Sequence, residues 1–333
     1  EVEPGRKIVK GVVKGAKAHP ALVFICHMDT VVKGEGWTKN AFGADVSDGK
    51  IWGRGACDMK SGLASALTAF AEVAKLQKEN AEDIEKLPGT LVFIGTVDEE
   101  ADMKGSEAAV QQGWIQKEDW VLDMEPTSGM IQMAHKGRTW FELSVEGITA
   151  HASMPEKGAD AIAGIAFMIA EIRKAMGEVP THEELGKSTV TFGQISGGYS
   201  PYVVSDHSMV TIDMRLVPPM NTQEAEKIVR KAIEIGENAV PGVKGSYKIT
   251  GDRPPVETHM ESGLMKALSE SVKKVTGKDT AVVAGLLENP NCMSYGPGNL
   301  AQAHKPDEYV EIADIERCVQ VYRELICLYE DMI

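Results

Sequence analysis

No stretch of this 333-residue chain approaches the roughly 20 consecutive apolar residues that span a bilayer, so insertion into a membrane is not expected. Basic residues are outnumbered. Against 49 Asp and Glu stand 35 Lys and Arg, the formal charge is −14, and no basic stripe offsets it. Such a surface repels a phosphate backbone, which makes nucleic acid a poor partner. The five cysteines, Cys26, Cys57, Cys292, Cys318 and Cys327, are odd in number, widely spaced and without a C-x-x-C pair. That pattern fits reduced thiols in a cytoplasmic protein better than a disulfide framework. No basic-plus-apolar leader precedes the first apolar run. The chain opens on Glu1, not on methionine, and Glu1–Pro20 reads like the middle of a domain, so a trimmed chain is expected. Internal repeats and low-complexity tracts are also missing. Two motifs fall short: Met59 stands where a phosphate-binding loop needs glycine before Lys60, and His182-Glu183-Glu184-Leu185-Gly186 lacks the second histidine of a zincin helix.

What is present is an apolar fraction of 43%, enough for one large domain or two ordinary ones, and the patterning favours two. The runs Ala21–Cys26, Leu91–Val97 and Trp120–Leu122 are too continuous for half-wet strands and predict a buried parallel sheet. Between them Met59–Lys78 predicts a helix with Leu63, Ala66, Leu67, Phe70, Val73 and Ala74 on one face, and Ser106–Gln112 a shorter one. This alternation of strand and helix is the order of an α/β fold. From about Gly137 the pattern changes. Phe141, Leu143 and Val145 alternate with polar residues, as do Val210, Ile212, Met214 and Leu216, and the helices Ala159–Met176 and Thr222–Asn238 lie among them. A β-α-β-β-α-β order with one solvated sheet face is expected there. Beyond Asp252-Arg253-Pro254-Pro255, a helix at Ser262–Val275, the Gly-rich stretch Ser294–His304 and a C-terminal helix complete the first domain. The expectation is a mostly parallel-sheet α/β catalytic domain formed by residues 1–136 and 253–333, with an α+β domain inserted at 137–252.

The apolar runs stop at clusters of acids and imidazoles: His27-Met28-Asp29, Asp98-Glu99-Glu100 and Asp123-Met124-Glu125-Pro126. Asp58-Met59-Lys60 and Ala303-His304-Lys305-Pro306-Asp307 add two more. In open α/β sheets ligand chemistry gathers beyond the carboxyl ends of the strands, so residues far apart in sequence can converge there. Carboxylates and imidazoles suit zinc, cobalt or manganese rather than calcium. Two such ions need terminal ligands and a bridging carboxylate. The inventory predicts His27, Asp58 and Glu125 on one ion and Asp58, Glu100 and His304 on the other, with Asp58 bridging. Taken alone, Asp58 reads equally well as the N-cap of the following helix. Asp29 is positioned to take the other N–H of the His27 imidazole, and Glu99, beside a ligand in an acidic neighbourhood, suits a general base.

These words resemble a known family, the cocatalytic zinc metallopeptidases and deacylases that include succinyl-diaminopimelate desuccinylase, acetylornithine deacetylase, aminoacylase and glutamate carboxypeptidase. The resemblance rests on His27-Met28-Asp29-Thr30-Val31, Gly53-Arg54-Gly55-Ala56-Cys57-Asp58-Met59-Lys60, Asp98-Glu99-Glu100, Glu125-Pro126-Thr127 and Ala303-His304-Lys305-Pro306-Asp307-Glu308, in the family's order over nearly the whole chain. It implies two divalent ions, zinc first, held by His27, Asp58, Glu100, Glu125 and His304, with Asp123 as the competitor of Glu125. Glu99 would be the acid/base and 137–252 a lid through which two chains dimerise. Gly147-Ile148-Thr149-Ala150-His151-Ala152-Ser153 resembles the lid motif whose histidine steadies the oxyanion in the partner's site. Asp213-Met214-Arg215 resembles the strand end whose arginine binds the substrate carboxylate, and the amides of Gly296 and Gly298 resemble the loop that assists it. Where the family commonly has asparagine this chain has Pro201-Tyr202, which makes Tyr202 the substrate-side candidate. The family's usual N-terminal helices are missing. The implied function is hydrolysis of an amide or peptide bond next to a free carboxylate, by an N-acyl-amino-acid deacylase or a carboxypeptidase-like exopeptidase. The alternatives are a di- or tripeptide aminopeptidase and a catalytically silent binding relative.

Overall fold

In the computed structural model, which describes residues 1–79, 87–101, 103–183, 185–253, 255–257, 261–280, 282–284 and 292–333, the continuous apolar runs form the centre of a sheet. Glu184 of the incomplete zincin motif and Pro254 of the Asp252–Pro255 stretch lie outside the described residues. The chain divides into two units, Glu1–Met133 with Glu257–Ile333, and Ala134–Val256.

The first unit opens with β1 (Val9–Val13), β2 (Lys17–His27), α1 (Ser61–Glu79), β3 (Gly89–Thr96), α2 (Lys104–Gln111) and β4 (Trp120–Asp123). Every residue of β3 is buried, as is β2 from Ala21 to His27, because helices cover both faces of a parallel sheet and leave no wet side. Within an eight-stranded sheet β3, β2 and β4 are neighbours and run parallel, and β1 adds an antiparallel edge to β3.

The second unit contains β5 (Gly137–Glu146), α3 (Ala161–Glu178), β6 (Thr189–Gly197), β7 (His207–Leu216), α4 (Thr222–Ala239) and β8 (Lys244–Arg253). Its antiparallel sheet has the order β6-β7-β5-β8. Phe141, Leu143 and Val145 of β5 and Val210, Ile212 and Met214 of β7 meet Ile165, Met168 and Ile172 of α3 and Val229 of α4 in one core. The other sheet face stays wet, as the alternation requires. Side-chain caps start both helices: Asp160 accepts from the amides of Ile162 and Ala163, and Asn221 from that of Glu224.

The chain then completes the first unit with α5 (Gly263–Thr276), β9 (Cys292–Ser294), which lies parallel to β4, and α6 (Ile312–Met332). Among the described residues no helix is long and apolar enough to cross a membrane.

The structure differs from the sequence reading at α1. The helix begins at Ser61 rather than Met59, because Asp58 and Met59 have non-helical backbone angles inside a five-residue turn, Ala56–Lys60. Its packed face is also rotated. Ser61, Gly62, Ser65, Ala66 and Ala69 are fully buried, whereas Leu67 is 44% exposed. Along this face Ser65 Oγ donates to the Ile315 carbonyl of α6 at 3.4 Å. Close approach explains the glycine, since a Cβ on Gly62 would stand 2.1 Å from the Met124 carbonyl oxygen.

That contact opposes the usual helix preference for alanine. Gly62→Ala should destabilise the protein by about 1–3 kcal/mol. Gly177→Ala in α3, where an added Cβ meets nothing within 4 Å, should stabilise it by about 0.4–1 kcal/mol. Equilibrium urea unfolding reads both signs, and a stabilising Gly62→Ala would refute the packing argument.

Candidate metal centre

Because β2, β3, β4 and β9 share one direction, their carboxyl ends open on one edge of the sheet. His27 is the last residue of β2 and pairs in register with Thr96, the last of β3, so Glu99 and Glu100 follow directly beyond that pair. Asp123 ends β4, and Glu125 lies two residues on. Asp58 reaches the same edge from the turn before α1. There Gly55 has φ 78°, and a side chain would stand 2.5 Å from Thr30 Cγ2, so glycine alone allows the chain to turn here. His304 arrives from the loop beyond β9.

The side chains converge. His27 Nε2 lies 3.0 Å from Asp58 Oδ1, 3.3 Å from Glu125 Oε1 and 3.9 Å from Glu99 Oε2. His304 Nε2 lies 2.9 Å from Glu100 Oε2 and 3.4 Å from Asp58 Oδ2. Asp58 therefore turns one carboxylate oxygen to each imidazole. Both oxygens are engaged with imidazoles, an arrangement an N-cap would not give. Among the described residues two groups have donor atoms mutually within 4.8 Å: His27 with Glu99 and Glu125, and His27 with Asp58 and Glu100. Ligands about 2.0–2.1 Å from a tetrahedral ion stand roughly 3.4 Å from one another. The spacing and chemistry of these donors fit divalent ions.

His27 Nδ1 donates to the main-chain carbonyl of Asp29 at 3.0 Å, which leaves Nε2 to face the carboxylates. The expected partner was the Asp29 carboxylate, which stands 3.6 Å from that nitrogen and instead accepts the amides of Glu99 and Glu100, each at 3.3 Å. Asp29 thus holds both strand ends, orienting the imidazole with its backbone and the acidic pair with its side chain.

Crowding shows in the acidities. Burial pushes the Glu99 carboxyl up to about 7; His27 opposes this, while Asp123, Glu100 and Asp58 add to it. Burial likewise takes Glu125 up to about 8 against the opposing hydrogen bond from His27, and raises Glu100 and Asp123. For His27 burial acts downward, yet hydrogen bonds to Asp29, Asp58 and Glu125 outweigh it and hold the proton. At Asp29 burial acts upward but loses to His27 and the two amides, which bring the group down to about 2. Anions this close, shielded from water, call for positive charge.

The other candidates are placed as follows. The Gly296 N–H donates to Thr127 Oγ1 at 3.3 Å, and a Cβ there would meet the Met124 carbonyl oxygen at 2.2 Å, so this loop packs on the segment carrying Glu125. Gly298 adopts φ 87° beside Cys57. In the second unit His151 is exposed, with Nδ1 2.8 Å from Ser153 Oγ, and it bridges to Val203. Tyr202, 66% exposed, accepts the Ala152 amide through its carbonyl. Arg215 is exposed at the end of β7, but Asp213 holds its guanidinium through Nε at 2.8 Å and Nη2 at 3.0 Å. Two residues without an assigned role in the sequence reading, Arg54 and Glu308, form a buried ion pair behind Asp58. They lie inside the Gly53–Lys60 and Ala303–Glu308 words, but nothing in spacing shows that they meet.

Acetylornithine deacetylase of Yersinia pestis is 28% identical over 94% of this chain and 80% of its own length. A probable succinyl-diaminopimelate desuccinylase of Staphylococcus aureus is 25% identical, with 93% and 83% covered. The fold is shared with an M20 family metallo-carboxypeptidase from Sulfolobus solfataricus, at a TM-score of 0.75 and 20% identity over 98% of this chain and 88% of that one. A dinuclear metal binding peptidase of the M20 family from Bacillus subtilis gives 0.70 and 18% over 100% and 88%. The family profile described as Peptidase family M20/M25/M40 matches residues 23–327, nearly the full length, so the chain belongs to this family and is a metal-dependent hydrolase.

Proposed function

We propose that this hydrolase cleaves an amide or peptide bond next to a free carboxylate, as an N-acyl-amino-acid deacylase or a carboxypeptidase-like exopeptidase. The observation that carries the reading is the Asp58 carboxylate with one oxygen toward His27 and the other toward His304. Asp58 would bridge two ions, His27 and Glu125 completing one shell and Glu100 and His304 the other. The imidazole and carboxylate donors favour zinc, with cobalt or manganese able to substitute. When bound, such a pair polarises the substrate carbonyl and acidifies water. Glu99, whose carboxyl burial pushes up toward neutral pH, takes the proton of the attacking water and returns it to the leaving amine. Asp29 orients His27.

The segment 137–252 would be the lid and dimerisation domain, the catalytic domain being 1–136 with 253–333, and His151 of a second subunit would stabilise the oxyanion. Arg215, with Tyr202 and the Gly296 and Gly298 loop, would receive the substrate carboxylate. A cytoplasmic homodimer is part of this reading; the five free cysteines support the location. One observation favours a second reading, a di- or tripeptide aminopeptidase: Asp213 already occupies one edge of the Arg215 fork. A silent binding relative would have no use for so complete a donor set.

Glu99→Gln should keep both ions and lose about 10²–10⁴-fold in kcat, whereas Glu100→Gln should lose affinity for one ion. Metal analysis beside turnover separates them, and equal ion loss in both would reject the assignment.

The raised carboxyls also set a pH dependence. Between their ordinary value of 4.5 and about 7 to 8, folded Glu99 and Glu125 retain protons that the unfolded chain releases. His27, also raised, retains its proton in the same sense. Stability is therefore fully present below that window and declines through it as pH rises. Chelator-treated protein should melt at progressively lower temperature from pH 5 to 8. Metal-loaded protein should not, since ions need the deprotonated donors. Metal-free protein that gained stability over this window would contradict the crowding argument.

The carboxylate requirement is tested at Arg215. On a free-acid N-acyl amino acid, Arg215→Ala should lose about 2–5 kcal/mol of transition-state stabilisation. On the matching amide the variant should do no worse than the parent enzyme, because both changes remove one interaction. Fully additive losses, with the parent favouring free-amine dipeptides, would select the aminopeptidase reading.

A further inference from the structure

The carboxylate that braces the Asp58 turn is not one of the proposed ligands. Glu308 is buried with only 1% of its side chain exposed, and it uses both oxygens and its backbone. Oε1 accepts two consecutive main-chain N–H groups, from Cys57 at 2.9 Å and from Asp58 at 3.0 Å. Oε2 accepts from Arg54 Nη1 at 2.5 Å, and the Glu308 carbonyl accepts the Gly53 amide at 2.9 Å. Arg54 is itself anchored, its amide donating to the Ala41 carbonyl and its Nη2 to the Lys33 carbonyl at 3.0 Å. The preceding residue, Asp307, ties the same loop down by accepting from Thr38 and Lys39.

A buried carboxylate is costly, and stability alone would be served as well by an apolar pair of similar volume. What a carboxylate at this place does that an apolar group cannot is accept the consecutive amides of Cys57 and Asp58. Those two bonds fix the peptide plane before Cys57 and the plane that leads into Asp58, and so the direction from which its side chain projects. Glu308 also sits four residues after His304. One side chain thus couples the loops that carry Asp58 and His304, whose nearest atoms stand 3.4 Å apart.

We infer that Glu308, held by Arg54, is a positioning residue that sets where the Asp58 carboxylate stands between His27 and His304, and through it the affinity for the ion on the His304 side. The inference rests on the proposed role of Asp58 as bridging ligand. Groups that orient metal ligands in this way typically change affinity by about 10–100-fold when altered. The reach of the acceptor should matter more than its charge.

Two substitutions separate reach from charge in the full chain, stripped with chelator and titrated with Zn2+ by calorimetry and with Co2+ by visible absorption. Glu308→Asp keeps the charge for Arg54 but is one methylene too short for both amides. It should weaken the second ion about ten-fold or more and shift the Co2+ bands. Glu308→Gln keeps a carbonyl oxygen in reach of both amides. Its ion affinity and Co2+ spectrum should stay close to the parent's, although the metal-free protein should melt earlier because Arg54 is left buried without a counter-charge. A merely structural ion pair predicts the opposite order, with affinity following charge. That order, or parent-like affinity in Glu308→Asp, overturns the inference. If one variant does not fold the other decides, since parent-like binding in the Asp variant or a ten-fold loss in the Gln variant is each contrary. Asp58→Asn serves as the control: if it retains both ions the ligand reading itself fails, whereas ion loss there beside a parent-like Glu308→Asp removes only the positioning role.

Discussion

Buried carboxylates a few ångströms apart repel one another, and much of the first unit can be understood as the means of holding them together. Asp58, Glu99, Glu100 and Glu125 meet His27 and His304 at distances of 2.9–3.9 Å. Left to themselves such groups would swing outward to water. For His27, Glu99, Glu100 and Glu125 the parallel register of β2, β3 and β4 prevents this, since a sheet buried on both faces fixes the strand ends they follow. Burial first, and then the neighbouring negative charges, make Glu99, Glu100 and Glu125 weaker acids than a carboxyl in water.

The backbone around the centre is shaped for the same purpose. Gly62 lets the start of α1 come up against the Met124 carbonyl just past β4, and Gly55 supplies the reversal before Asp58. Asp29 spends its carboxylate on the amides of Glu99 and Glu100 while its carbonyl fixes the His27 ring. Glu308 does the corresponding work for Cys57 and Asp58 from the opposite side. In each case a carboxylate accepting two neighbouring amides orders a short irregular segment, which neither helix nor strand could do at a loop. Such acceptors fix direction, and direction is what an ion with few preferred geometries demands of its ligands.

In the second unit the chemistry is of another kind. Arg215 is exposed yet not free, since Asp213 holds it and Trp140 Nε1 donates to the same Asp213 at 2.9 Å. Arg138 lies 4.1 Å over the Trp140 ring, so four side chains on the wet face of the sheet form one polar cluster. A guanidinium held along one edge keeps its remaining N–H groups in a defined direction, which suits recognition of a planar anion but also lowers its net charge.

Local pattern was sufficient for the architecture. The unbroken runs at Ala21–Cys26 and Leu91–Val97 specify doubly covered strands, and the alternation at Phe141–Val145 specifies a strand with one wet face, because burial on two sides or one is written directly into residue order. That His27, Glu99, Glu100 and Glu125 would lie near one another could also be read, since each follows an apolar run, whereas Asp58 and His304 stood out by side-chain chemistry and motif alone. What the sequence could not determine was which atom of each residue would be used. That His27 Nδ1 turns to the Asp29 carbonyl rather than to its carboxylate follows from where the Glu99 and Glu100 amides stand. That α1 needs glycine at Gly62 follows from the approach of Met124, and that it buries Ser65 from the return of α6. Arg54 and Glu308, 254 residues apart, meet only because the C-terminal segment returns to the first unit. Periodicity reports which side of an element faces the core; pairings between loops depend on three-dimensional distance, and only the folded chain decides them.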